Sequence, residues 1–315
     1  MIRLILTLLL AYSVPAGAAE RGAPVPDYPA VEVAPRMWVI EGPLDYPSAE
    51  NQGFRNNPAF IVTRSGVVVI DPGSSVQSGE MVLRQIRKVT DAPVVALLNT
   101  HVHGDHWLGN QAFWEADPTV KIYGHPKMIA AIANGAGAYW INSYLQLTNG
   151  AIAGTVVVPP TIAVSHSDSV VVGDDRFTFH HLGQAHSDND LMITVNDNAL
   201  LFLADNGCNQ RIVRMDDGSF AGNIAALAHA ATLQPQVVVP GHGPVGGVAL
   251  IEQYHDYLTT LYQTVEKLYE EGYSDYEMRP LVAEQLQRFI DWVGFERELG
   301  KNISIAYLEV ERAAF

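Results

Sequence analysis

The chain has 315 residues, 48% of them hydrophobic, which is enough to bury a sizeable core and excludes an intrinsically disordered protein. Its 19 Lys and Arg against 34 Asp and Glu give a formal charge of −15, which repels polyanions and argues against nucleic acid or an anionic membrane surface as a partner. A small-molecule substrate, even an anionic one, stays compatible, because a bound cation adds local positive charge that this sum omits.

The first residues are Met1-Ile2-Arg3 and then an apolar run from Leu4 to Leu10, broken only by Thr7. Ala16-Gly17-Ala18-Ala19 follows, before Glu20-Arg21. That pattern predicts a signal peptide over residues 1–19 and a periplasmic or secreted mature protein. The run is well short of the ~20 apolar residues of a membrane span, so no stable membrane insertion is expected after signal removal. Cys208 is the only cysteine, so no intrachain disulfide supports the exported fold.

Residues 20–35 are Pro-rich and are expected to form an exposed lead-in. Met37 to Ile40, Ala59 to Thr63 and Val67 to Ile70 read as strands, the last two joined by the turn signal Arg64-Ser65-Gly66. Ser78 to Val89 carries Met81, Val82, Ile86 and Val89 at helical spacing, and Val94 to Leu98 is another short strand. Val120 to Tyr123 is a strand, and Ile129 to Leu147 reads as helices broken at Gly135 and Gly137. Val170 to Val172 and Phe177 to Phe179 flank a turn, as do Met192 to Val195 and Ala199 to Leu203, so two hairpins are expected. Val237 to Val239 is a last strand, and the chain from Val248 is helical, with Leu258, Leu261, Val265 and Leu268 on one face. The pattern predicts one sandwich-like α/β domain over residues 36–246 and a C-terminal helical extension over 247–315.

The chemistry concentrates in Asn99-Thr100-His101-Val102-His103-Gly104-Asp105-His106, directly after the strand ending at Leu98. Imidazole and carboxylate suit zinc, iron or manganese, and a loop leaving a strand aims alternate side chains at one point. His101 and His103 can share one metal, and Asp105 and His106 can turn toward a second. Further ligands must come from distant loops. His186 in Gly183-Gln184-Ala185-His186, Asp205 ending the run Ala199 to Ala204, and His242 in Pro240-Gly241-His242-Gly243 each follow an apolar run and are the candidates.

His101-x-His103-x-Asp105-His106, followed by His186, Asp205 and His242, resembles the metallo-β-lactamase superfamily over roughly Val31 to Gly246. The resemblance implies a four-layer αββα sandwich with a metal centre at one edge of its two sheets. It implies two Zn²⁺ (iron or manganese as alternatives), one held by His101, His103 and His186, the other by Asp105, His106 and His242, with Asp205 bridging. The helical tail is similar to a subgroup of exported hydrolases found with sulfur-oxidation or quinoprotein systems.

The expected activity is hydrolysis of an ester, thioester, lactone or amide, using a hydroxide shared by two ions that lower the pKa of water toward ~7. Asp105 is the candidate for proton transfer, though as a metal ligand its basicity is reduced. Asp71, Thr100 and Ser187 are candidates to orient imidazoles. Arg211 or Arg214 suits a substrate carboxylate, and Trp107, Trp140 and Tyr144 are candidates for the pocket wall. Asp205 takes the ligand position in preference to Cys208, which is the pattern of lactonases and thioesterases and counts against a zinc β-lactamase. His125, His166, His180, His181, His229 and His255 have no evident ligand partners. The main rival reading is a mononuclear iron enzyme resembling persulfide dioxygenases; a flavodiiron protein is excluded, because His103 is not a carboxylate and no flavodoxin domain follows. A metal-holding accessory protein without turnover is the other.

Overall fold

The structure, a computed structural model, describes residues 20–196 and 199–314. The expected signal peptide over residues 1–19 lies outside the described residues.

Two sheets form the centre. The first runs β1 (Ala30–Ala34), β2 (Met37–Ile40), β3 (Ala59–Thr63), β4 (Gly66–Ile70), β5 (Val94–Leu98), β6 (Lys121–Gly124) and β7 (Ile162–Ala163) in that order. The second comprises β8 (Ser169–Val172), β9 (Asp175–His180), β10 (Met192–Val195), β11 (Leu200–Ala204) and β12 (Val237–Pro240), in the order β12-β11-β10-β9-β8. Alternation along each strand sends one set of side chains between the sheets: Val39, Ile61, Val68, Ile70 and Leu98 meet Phe177, Phe179, Ile193, Val195 and Phe202.

The opposite face of the first sheet packs Phe60, Val67, Val69 and Leu97 against α1 (Val76–Val89) and α3 (Asn110–Ala116), through Met81, Val82, Ile86 and Phe113. The outer face of the second sheet packs Leu201, Leu203 and Val238 against α6 (Phe220–Thr232) and α7 (Val248–Glu270). The expected stripe Leu258, Leu261, Val265 and Leu268 is buried in that layer, with α8 (Asp275–Gln285) and α9 (Phe295–Ala313) around it. This is an αββα sandwich with C-terminal helices. No helix among the described residues is long and apolar enough to cross a membrane.

Several sequence expectations need correction. The lead-in over residues 20–35 is not simply exposed, because it carries β1, paired antiparallel with β2, and buries Val25 beside Phe54. Its prolines lie before the strand or, for Pro35, in the turn that follows it, and leave the edge pairing free. Gly137 does not break a helix but opens α5 (Gly137–Leu147). The break is at Gly135, whose φ of 107° sits within a π-helical turn, Ile132–Ala136, that links α5 to α4 (Pro126–Ala131). Ser75 caps α1, so the helix starts at Val76, two residues before Ser78.

Strands β4, β5 and β6 are parallel, as are β11 and β12. Their carboxyl ends therefore open at one edge of the sandwich, where loops can converge on a ligand.

Candidate metal centre

The expected ligands, and Asp71 expected to orient one of them, come from the segments that follow the strands. Asp71 follows β4 at φ 49°, and His101 and His103 lie in the extended stretch after β5. His103 is the N-cap of a single turn, α2 (Gly104–Trp107), which turns Asp105 and His106 back toward the edge. His186 sits between β9 and β10, Asp205 follows β11, and His242 follows β12. Ala204 adopts φ 49°, a left-handed turn unusual for alanine, directly before Asp205.

These loops bring together two groups. His101, His103, His186 and Asp205 form one, and Asp105, His106 and His242 the other, with the potential ligand atoms of each within 4.8 Å of one another. Asp205 also joins them: its carboxylate lies 3.2 Å from both His106 Nε2 and His242 Nε2 and 3.6 Å from His186 Nε2. Asp105 Oδ2 is 3.4 Å from His242 Nε2. Cys208 is buried outside both groups, and burial, reinforced by Asp205, pushes its thiol well above the usual range.

Neighbouring acceptors fix most of the imidazoles. His106 Nδ1 donates to Asp71 Oδ2 at 2.8 Å, and His242 Nδ1 donates to the Arg55 carbonyl at 2.9 Å. Thr100 gives its hydroxyl proton to Asp71 at 2.6 Å and receives His101 Nδ1–H at 3.0 Å. His103 uses Nε2 instead, donating to Asp217 at 3.0 Å and presenting Nδ1 to the site. The Nε2 atoms of His101, His106 and His242 are buried with no hydrogen-bond partner. Buried imidazole lone pairs aimed at carboxylates are costly unless a cation lies between them, so the donor set fits divalent metal ions.

The electrostatics agree. Burial, and then the neighbouring imidazoles His106 and His103, drive His101 toward the neutral form, and burial takes His186 down to about 3. His106 moves the other way: burial opposes its charge, but Asp205, Asp105 and Asp71 override it and favour a cation there. Burial also opposes ionisation of Asp105, yet His106, Arg55 and His242 hold it well below the usual carboxylate range. Such a carboxylate is a better ligand than base.

A pocket of about 300 Å³ opens onto this centre, lined by His103, Asp105, His186 and Asp205 together with Tyr46, Arg55, Trp140, Tyr144, Arg211, Arg214 and, from α9, Arg297 and Glu298. Trp140 and Tyr144 are therefore wall residues as expected, and α9 covers one side. Trp107 is not a wall residue: it is 0% exposed, donates its indole N–H to the Val102 carbonyl and packs with Met128 and Ile132. Arg211 and Arg214 both reach the pocket, and Arg214 is 3.2 Å from Asp216. Arg211 is only 1% exposed, and its Nε has no partner. Burial and the nearby Arg55 lower its guanidinium to about 10.

Sequence reading missed several residues. Arg55, its side chain 13% exposed, lies 3.4 Å from Asp105. Asn57 binds the carbonyls of Pro240 and Gly243, holding the His242 loop, and Asn189 accepts Val102 N–H, tying the His186 loop to the first motif. Ser187 does not touch an imidazole; its N–H and hydroxyl bind Asp190, whose carboxyl burial raises to about 7.

Residues 52–242 match the family model of the metallo-beta-lactamase superfamily. The chain belongs to that superfamily. It is similar to the linear primary-alkylsulfatase of Pseudomonas sp. (strain ATCC 19151), 26% identical over 120 residues, which are 37% of this chain and 20% of that protein. It is also similar to the hydroxyacylglutathione hydrolase of Nostoc sp. (strain PCC 7120 / SAG 25.82 / UTEX 2576), 42% identical over 59 residues, 19% of this chain and 21% of that one. The matches thus span about a fifth of either relative's length. Among solved structures, a metallo-beta-lactamase from Pontibacter korlensis aligns with a TM-score of 0.59 at 16% identity, over 73% of this chain and 98% of its own. The stereoselective inverting sec-alkylsulfatase Pisa1 from Pseudomonas sp. aligns with 0.68 at 16% identity, over 89% and 50%. At such identity the likeness shows the fold.

Proposed function

We propose that this protein is a dinuclear metallohydrolase, zinc-dependent and exported, acting on an ester-type bond of a small anionic molecule. The observation that carries the reading is the convergence of buried, unpartnered Nε2 atoms of His101, His106 and His242 on Asp105 and Asp205. His101, His103 and His186 would hold one ion, Asp105, His106 and His242 the other, and Asp205 both. Two divalent ions in such a site supply a lowered pKa for water and Lewis-acid polarisation of the scissile group.

The chain's own residues do the rest. Asp71, Thr100, Asp217 and the Arg55 carbonyl hold the imidazole tautomers, so the ligand geometry exists before substrate arrives. Arg211 supplies a buried guanidinium without a carboxylate partner, suited to an anionic substrate group. Trp140, Tyr144 and Leu147 offer an apolar wall for the remainder. Asp105, kept ionised by its neighbours, would relay a proton only weakly. A mononuclear iron dioxygenase leaves the assembled Asp105, His106 and His242 group without a task, which favours hydrolysis.

Within the ester class, the partial similarity to a linear primary-alkylsulfatase favours testing sulfate esters beside lactones, thioesters and cephalosporins. The test is turnover of that panel by the zinc-loaded protein and by Asp205→Ala. Hydrolysis of one class, lost in the variant, supports the proposal. Absence of hydrolysis together with O₂ consumption on a persulfide would overturn it.

A further inference from the structure

A second histidine cluster, outside both ligand groups, lies on the outer face of the second sheet. Phe177 and Phe179 of β9 point into the inter-sheet core, so the alternation turns His180 outward. There its Nδ1 lies 3.3 Å from Nε2 of His229, in the last turn of α6. The loop before β8 adds His166, which is exposed. Ring centroids are 5.4 Å apart for His180 and His229, 6.3 Å for His166 and His180, and 6.5 Å for His166 and His229. In the central site the rings of His101, His103 and His186 lie at 4.7, 5.2 and 4.8 Å. The outer cluster is therefore a wider version of the same arrangement, and its widest member is the exposed side chain that can swing inward.

We propose that His166, His180 and His229 form a separate, exchangeable site for a borderline divalent transition-metal ion, zinc in the first instance, with water completing the coordination. Three features support it. His180 Nε2 lies 3.0 Å from Thr194 Oγ1, which orients the ring and leaves Nδ1 toward His229, as a supporting residue orients a ligand imidazole. Burial and the neighbouring imidazoles keep His180 and His229 neutral at pH 7, the form in which imidazole ligates. The formal charge of −15 draws cations to the surface. Three imidazoles are a sufficient protein donor set for a zinc ion that keeps an open position. The site is independent of the chemistry at the central one.

The experiment is equilibrium dialysis of the full protein against buffer with micromolar free zinc, followed by elemental analysis, for the wild type and His180→Asn/His229→Gln. The expected result is one zinc fewer per chain in the double variant, with hydrolysis of the panel substrate unchanged. His166→Ala, an exposed substitution that leaves the core untouched, is expected to weaken the extra ion by about tenfold, and it decides the matter where the double variant folds poorly or loses more than one ion. Equal zinc in wild type and both variants overturns the proposal and leaves a plain imidazole-to-imidazole hydrogen bond.

Discussion

Asp71 Oδ2 lies 2.8 Å from His106 Nδ1, and both side chains are fully buried. The same carboxylate accepts the Thr100 hydroxyl at 2.6 Å, and Thr100 in turn meets His101 Nδ1 at 3.0 Å. One residue at the end of β4 thus aligns an imidazole in each of the two groups. Asp71→Ala is expected to weaken metal retention by about 10- to 100-fold, the usual loss for such a partner. Competition with a chelator measures it. Retention equal to wild type would remove Asp71 from the account. Asp217, 63% exposed at its side chain and supporting only His103, should cost less when replaced by Ala.

Gly241 is a space requirement beside the proposed bridge. A Cβ there would stand 2.0 Å from Asp205 Oδ1 and 2.8 Å from the Ala204 carbonyl carbon. Backbone on one side and the proposed ligand Asp205 on the other leave no room to give. Gly241→Ala is therefore expected to cost at least tenfold in metal retention with the circular dichroism spectrum preserved. Unchanged retention would show that Asp205 can shift without consequence.

Arg211 separates stability from function. A buried guanidinium without a carboxylate partner opposes folding, and an apolar replacement of similar volume relieves that cost. Arg211→Met should leave the melting temperature equal or higher while raising KM for an anionic substrate by tenfold or more, since a hydrogen bond to a charged group contributes about 1.5–3 kcal/mol. A lower melting temperature with KM unchanged would make Arg211 structural.

His125 carries a pH dependence whose sign follows from its surroundings. Its Nδ1 accepts Lys127 N–H at the start of α4, and its ring lies 4.1 Å from that of His181. Burial, and then His181, lowers it to about 4 from an ordinary value of 6.5. The unfolded chain therefore binds the proton more readily, and the stability from neutral His125 is full above pH 6.5 and lost as pH falls through 4. His125→Ala should cost about 1 kcal/mol at pH 7.5, the usual worth of a cap, and nothing or less at pH 4. Urea denaturation at the two pH values measures it; an equal cost at both contradicts the assignment.

What was legible in the sequence is what lies close together or follows a strong apolar run. His101 to His106 form a contiguous motif, and His186, Asp205 and His242 each come soon after residues whose burial in a sheet is plain from their type. Arg55 carried no such signal, because it lies in the largely polar stretch Asn51 to Asn57 and its partner Asp105 is contributed by α2. Arg297 and Glu298 reach the pocket only because α9 packs across the strand ends, and Asp217 comes to it from the loop before α6, tertiary facts without local trace. Trp107 was misplaced because motif proximity suggested a pocket wall, whereas the single turn of α2 rotates it into a small core with Met128 and Ile132. β1 was hidden by neighbouring prolines that mark loops in most contexts.

The most direct test of the central claim is tightly held metal per chain, by elemental analysis after exhaustive dialysis that strips exchangeable ions, in wild type and Asp205→Ala. Two ions per wild-type chain, with retention and hydrolysis both lost in the variant, is the predicted result. One ion per chain, or hydrolysis that survives the loss of Asp205, would contradict a dinuclear hydrolytic centre.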